Sequence, residues 1–208
     1  MTNPKQLIFP FSIDKKSSIK KFFVAEGCEN LVAAIQDNKA GDIFLLGGEG
    51  VGKSYLLQAT CNDLSSSSFT TAYIPLAEAI KLKPMLLDGL ESLNLVCLDD
   101  LDAIAANKDW EVACFNLINR CNESGCRLIF SCSKDEKNFF PDLLSRLKKM
   151  TSYILRSVQD AQLNNAIKAI ALNLRIPIEE KEINFLLNTH TRDLATLINF
   201  IKKIDDHS

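Results

Sequence analysis

Apolar residues recur along this chain in short unbroken runs separated by longer stretches of helical periodicity. The runs fall at 43–47, 71–76, 94–99, 127–132 and 152–156, each too short for a helix and rich in Leu, Ile, Val and Phe. Helical patterns fill the gaps at 29–37, 53–64, 84–91, 109–123 and 141–149. Near-continuous apolar strands alternating with helices predict an α/β fold, with a parallel five-stranded sheet covered on both faces. After about residue 158 the strands stop. Three amphipathic stretches remain, at 160–174, 178–188 and 191–204, which predict a small α-helical lid at 158–208 behind an α/β core at 21–157. Residues 1–20 read as a separate leader.

The first apolar run, Ile43-Phe44-Leu45-Leu46, opens directly into Gly47-Gly48-Glu49-Gly50-Val51-Gly52-Lys53-Ser54, and Tyr55-Leu56-Leu57 then starts a helix. This is the phosphate-binding pattern G-x-x-x-x-G-K-[ST] in its strand–loop–helix setting. Its glycines let backbone N–H groups wrap a phosphate chain, and the helix that follows adds its positive end. Lys53 neutralises terminal phosphates, and Ser54 is placed to hold Mg²⁺. The third run ends in Asp99-Asp100. A carboxylate at such a strand tip coordinates Mg²⁺ through water, and a second acid orients attacking water. The bland alternative for this pair is a solvated acidic turn, since Asp102 and Asp109 lie nearby. Ser131-Cys132-Ser133 closes the fourth run, where a polar side chain would face the terminal phosphate.

Composition narrows the class. The chain has 208 residues, 47% hydrophobic and 24% charged, enough for a full core, and a net charge of −2 that lacks a basic nucleic-acid footprint. No uncharged apolar run reaches 18 residues, and the start lacks the apolar region of a signal peptide. A cytoplasmic protein with no membrane partner is the expectation. The seven cysteines form no C-x-x-C pair and read as small core residues, not as a disulfide framework or a zinc site. His190 and His207 are isolated.

Two arginines and one peptide are ambiguous by pattern. Arg146, in Pro141-Asp142-Leu143-Leu144-Ser145-Arg146-Leu147, has the side chain suited to a transferring phosphoryl group, but beside Lys148 and Lys149 it reads as a solvated helical arginine. Arg192 opens the last helix, where a positive charge opposes the dipole. In Gln6-Leu7-Ile8-Phe9-Pro10-Phe11, Pro10 keeps the chain extended, and Leu7, Phe9 and Phe11 either pack on the domain or fill a partner's groove.

Taken together, several segments resemble the AAA+ module of the DnaA initiator family over almost the whole chain. They are Ala72-Tyr73-Ile74-Pro75-Leu76, the stretch from Leu87 to Asp100, the helix from Asp109-Trp110-Glu111 to Asn119-Arg120, and Pro141 to Leu147. Within that family the resemblance is to regulatory homologues that inactivate the initiator. It implies a negative regulator of chromosomal replication initiation that binds ADP or ATP with Mg²⁺. Gln6, Leu7, Phe9, Pro10 and Phe11 look like the peptide that binds the DNA polymerase III sliding clamp (the beta subunit). Arg146 matches the arginine finger, which acts on a nucleotide held by a neighbouring molecule, here DnaA-bound ATP. Arg192 matches the second sensor, and Phe23 and Val24 the segment near the base, with Tyr55 beside the loop. Where the initiators carry Asp at the first sensor this chain has Ser133. The resemblance therefore implies an activator of DnaA's hydrolysis with at most weak ATPase activity of its own, in which Asp100 would take part. The initiator's C-terminal DNA-binding domain has no counterpart here, and DNA is expected to be met through the clamp. A homodimer is compatible with the family. Other readings of the same residues are a stand-alone AAA+ ATPase and a DnaA-like helicase-loading factor.

Overall fold

Every strand predicted from the apolar runs is present. The computed structural model describes residues 11, 13–133, 139–189 and 193–205, with 202–205 by backbone alone. Strands β1 (Ile43–Leu46), β2 (Thr71–Pro75), β3 (Leu95–Asp99), β4 (Arg127–Cys132) and β5 (Thr151–Ile154) form one sheet. Their order is β2-β3-β4-β1-β5, and every neighbouring pair is parallel. Phe44 stands opposite Phe130, and Cys97 opposite Ile129.

Side chains alternate between the two faces, as the pleat requires. Ile43, Leu45, Cys97 and Ile129 face one layer with Leu31 and Ile35 of α1 (Glu29–Gln36) and Leu56 and Leu57 of α2 (Lys53–Leu64). Phe44, Val96, Leu98 and Phe130 face the other. That layer holds Trp110, Cys114 and Leu117 of a long helix (Lys108–Ser124) and Leu143 and Leu147 of a short one (Pro141–Leu147). All seven cysteines are buried, and none forms a disulfide. The helix after β1 thus lies on one face, and the helices after β3 and β4 on the other. The carboxyl ends of β1, β3 and β4 border a crevice there, the place where open α/β sheets bind ligands.

Between β2 and β3 the structure departs from the sequence reading. A short α3 (Leu76–Ala79) follows β2 directly. The helix expected over 84–91 is instead two 3-10 turns, Pro84–Leu87 and Leu90–Ser92. Asp88 is extended and Gly89 takes φ +84°, so no helical hydrogen bond can run through the pair. The long helix, α4, starts at an Asn107 side chain that accepts from the Trp110 N–H and stops at Gly125, φ +80°. The short one is α5. The last three helices, α6 (Asp160–Leu174), α7 (Glu180–Thr189) and α8 (Leu194–Asp205), enclose a cluster of their own built on Ile167, Ile183, Leu186 and Leu197.

Residues 13–21 are docked on α2. Asn62 Nδ2 donates to the carbonyls of Asp14 (2.8 Å) and Ser17 (2.9 Å), and Asp63 accepts from the Ile19 N–H at 2.8 Å. Phe11 is half-buried against the α4–α5 cluster. Gln6, Leu7, Phe9 and Pro10 lie outside the described residues.

Candidate functional site

The loop from Gly47 to Gly52 leaves β1 and turns into α2. Close approach makes glycine necessary at two points. A Cβ on Gly47 would sit 2.7 Å from the Leu155 carbonyl oxygen. Gly50, at φ +74°, faces the start of α8, where a Cβ would meet Asp193 Oδ1 at 3.1 Å. Lys53 is only 6% exposed, and its Nζ donates to the carbonyls of Gly47 and Gly48, both at 2.8 Å. The ammonium is thereby folded along the loop.

At the tip of β3 the two carboxylates have different environments. Asp99 is 1% exposed. Tyr73 Oη donates to its Oδ2 at 2.6 Å, and Ser131 Oγ donates to its Oδ1. Burial first, then the Asp99 charge, push the Tyr73 hydroxyl far above its usual range, so it stays protonated and remains a donor. Asp100 takes the left-handed conformation, φ +54°, with its N–H donated to Ser131 Oγ at 2.9 Å. Burial, and then the neighbouring Asp99, hold the Asp100 carboxyl above the usual carboxylate range. One turn on, Asp102 accepts from the Ser133 N–H (3.0 Å) and from Ser133 Oγ (2.9 Å). Burial alone would raise Asp102, but these bonds outweigh it and hold its carboxyl below the usual range.

A cleft of about 550 Å³ opens over these groups. Glu49, Gly50, Gly52, Lys53 and Ser54 border it on one side, Asp100, Asp102 and Ser133 on the other, and Ala195 of α8 closes the edge. The sequence-predicted loop, acidic tip and first-sensor serine therefore converge. Asp99 lies beneath the cleft instead of lining it. Among the described residues no three acidic, His or Cys side chains gather as a metal site, so a Mg²⁺ here would keep most of its water and be held by Ser54 and, through water, by Asp99, whose oxygens already accept from side chains. Tyr73 and Asp102 are site residues that pattern reading missed. The available signal for Tyr73 was a hydroxyl inside an otherwise apolar strand.

Beside the loop, Phe22 stacks on Tyr55 with ring centroids 5.9 Å apart. Tyr55 Oη accepts from the Ser18 N–H and donates to the Ser18 carbonyl. Val24 joins the α1–α2 layer and Phe23 is half-buried. Asn173 of α6 donates to the Lys21 carbonyl at 3.3 Å, so this segment runs between α2 and the C-terminal helices. Arg192 lies outside the described residues. Its neighbour Asp193 caps α8, accepting from the Thr196 N–H (2.8 Å) and hydroxyl (2.6 Å).

Arg146 does not line this cleft. It sits half-buried in the last turn of α5, with its guanidinium carbon 5.5 Å from the centre of the Phe115 ring. Its Nε is buried and meets no hydrogen-bond acceptor among the described residues.

No protein-family model matches the chain. Solved structures do resemble it. DnaA domain III from Thermotoga maritima superposes with a TM-score of 0.79 at 17% identity, over 95% of this chain and 90% of that one. AMPPCP-bound DnaA from Aquifex aeolicus gives 0.77 at 20% identity, over 94% of this chain and 66% of that one. DnaI gives 0.58 at 15% identity, over 72% and 92%. The chain thus spans just under two thirds of the length of the longer initiator. No helix among the described residues is long and apolar enough to cross a membrane. With its parallel sheet ordered β2-β3-β4-β1-β5 between two helical layers, the chain has the α/β fold seen in DnaA domain III.

Proposed function

We propose that the chain is a nucleotide-bound negative regulator of replication initiation of the kind represented by Hda, the DnaA homologue that inactivates the initiator. ADP or ATP fills the cleft, with its phosphates wrapped by Gly47 to Gly52. Lys53 Nζ, now satisfied by two loop carbonyls, exchanges them for phosphate oxygens. Ser54, and Asp99 through water, would hold Mg²⁺, which when bound neutralises phosphate charge. Gln6, Leu7, Phe9, Pro10 and Phe11 dock on the DNA-loaded sliding clamp, and Arg192 reads the bound nucleotide from the lid. Arg146 reaches ATP held by DnaA. Water attacks the γ-phosphorus, the bond to the bridging oxygen breaks, and ADP and phosphate are released. The guanidinium meets the charge that builds on the γ-phosphoryl oxygens in that transition state.

One observation supports this reading above the others. Arg146 lies outside the chain's own cleft, yet its buried Nε meets no acceptor among the described residues. Buried polar groups are almost always paired, so an orphan donor on a guanidinium suits a partner supplied from outside. Ser133, bound to Asp102 where the initiators carry a carboxylate of their own, fits weak hydrolysis in the chain's own cleft.

The test is ATP hydrolysis with DnaA, DNA-loaded clamp and this protein, each omitted in turn. Stimulation is expected only with all three present. Arg146→Ala should remove most of a stimulation on the order of 10³–10⁵, the range for such fingers. Arg146→Lys should fail as well, because an ammonium lacks the planar fork. Wild-type stimulation by Arg146→Ala would overturn the reading, and turnover without DnaA would replace it with a stand-alone ATPase.

A further inference from the structure

Helix α4 carries two side chains that reach from the core toward α5. Its buried apolar positions are Trp110, Cys114, Leu117, Ile118 and Cys121. Glu111 and Phe115, one turn apart on a single face, turn instead toward α5. Glu111 is only 3% exposed, and each of its oxygens holds one backbone N–H. Oε1 accepts from Ala106 at 2.6 Å, and Oε2 from Phe140 at 2.7 Å. Ala106, at φ +65°, ends the segment that begins with Asp100 and Asp102, and Phe140 is the residue on which α5 starts. Phe115 follows. Its ring meets Phe140 edge-on, centroids 5.9 Å apart at 70°, and offers a face to Arg146 at 5.5 Å. A guanidinium over an aromatic face at this distance is attracted by the ring quadrupole.

We infer that Phe115 is a positioning residue that aims the Arg146 guanidinium. Glu111 fixes the helix start from which Arg146 is projected. The inference rests on the reading of Arg146 as a group acting in trans. A long side chain at the end of a short helix has several rotamers, and a finger held in one of them loses less entropy when a partner's phosphate arrives. Phe115 is half-buried at the margin of the α4–α5 cluster, where a leucine would keep an apolar side chain in the space. What an aliphatic residue cannot supply is the flat, electron-rich face.

The experiment compares wild type, Phe115→Leu, Phe115→Tyr and Arg146→Ala in the clamp-dependent hydrolysis of DnaA-bound ATP, with urea unfolding and nucleotide titration of each. Phe115→Leu should lower the maximal stimulated rate about tenfold, inside the up to ~10²-fold that a 1 Å misplacement costs. Its half-saturating concentration, its own nucleotide affinity and its urea midpoint should stay near wild type. Phe115→Tyr keeps the face and should restore the rate. In an Arg146→Ala background, Phe115→Leu should change the rate no further, because the two act through one group. A wild-type maximal rate for Phe115→Leu, or a further loss in the Arg146→Ala background, would overturn the inference and leave the arginine's role standing. A wild-type rate for Arg146→Ala would remove that role itself.

Discussion

Asp99 and Asp100 are neighbours in sequence with different circumstances. Asp99 is ringed by donors. Asp100 faces the cleft in a left-handed conformation, and burial and the Asp99 charge hold its carboxyl above the usual range. A carboxyl whose folded value is raised binds its proton more tightly when folded. Its ionisation therefore lowers stability as pH rises through the window between the unfolded and folded values. Asp100→Asn removes that charge, and asparagine tolerates the left-handed region. The variant should unfold at a higher urea concentration than wild type at pH 7. The difference should vanish as pH falls below about 4, the ordinary value for an aspartate, where the wild-type group is protonated in both states. Equal midpoints at pH 7 would mean the site relieves the charge by another route. Such environments were only half legible in sequence. The loop from Gly47 to Ser54 and the pair Asp99-Asp100 declare themselves by residue type and spacing. The Tyr73 and Ser131 donors on Asp99 depend on three parallel strands lying in register, β2 on β3 and β3 on β4, which no local pattern encodes.

At the scale of elements, the apolar runs located all five strands because strands buried on both faces leave little room for polar residues. The segment at 84–91 was misread because its leucines mimic a helical stripe while Pro84 and Gly89 break the backbone. Helix α4 was placed correctly over most of its length, and its partners were not. Glu111 lies in the first turn of α4, where the helix dipole favours a carboxylate. In the structure its oxygens tie Ala106 to Phe140, residues on loops that follow different strands. Glu111→Gln retains one acceptor and turns an amide N–H₂ toward a backbone donor. The unpaired buried N–H should cost about 1–3 kcal/mol. A thermal melt should fall by roughly 2–12 °C, at about 2–4 °C per kcal/mol for a chain of this size. An unchanged melting temperature would show that the loop and α5 hold each other without it.

Across the whole molecule, the leader is where the proposed docking meets the fold. Sequence alone left two fates for Leu7, Phe9 and Phe11: packing on the domain, or filling a partner's groove. Phe11 is half-buried against the α4–α5 cluster, the layer that also carries Phe115, Phe140 and the helix of Arg146. Phe11 shows the first fate, and substitutions at Leu7 and Phe9 test the second. Leu7→Ala with Phe9→Ala should abolish clamp binding while leaving the urea midpoint and nucleotide affinity at wild-type values. Phe11→Ala should lower stability by ~1–2 kcal/mol, less than the ~3–5 kcal/mol for a fully buried Phe. If clamp docking draws Phe11 off the domain, wild type spends part of its binding energy on unpacking that ring. A conservative Phe11→Leu, which packs less strongly, should then hold the clamp at least as well as wild type when Leu7 and Phe9 are the main anchors. Surface-immobilised clamp and purified variants give the affinities, and urea unfolding gives the stabilities. Should the Leu7→Ala and Phe9→Ala pair bind the clamp like wild type, the leader is not the docking peptide and Arg146 must reach DnaA without it. Should that pair instead unfold the protein, the leader belongs to the core throughout its length.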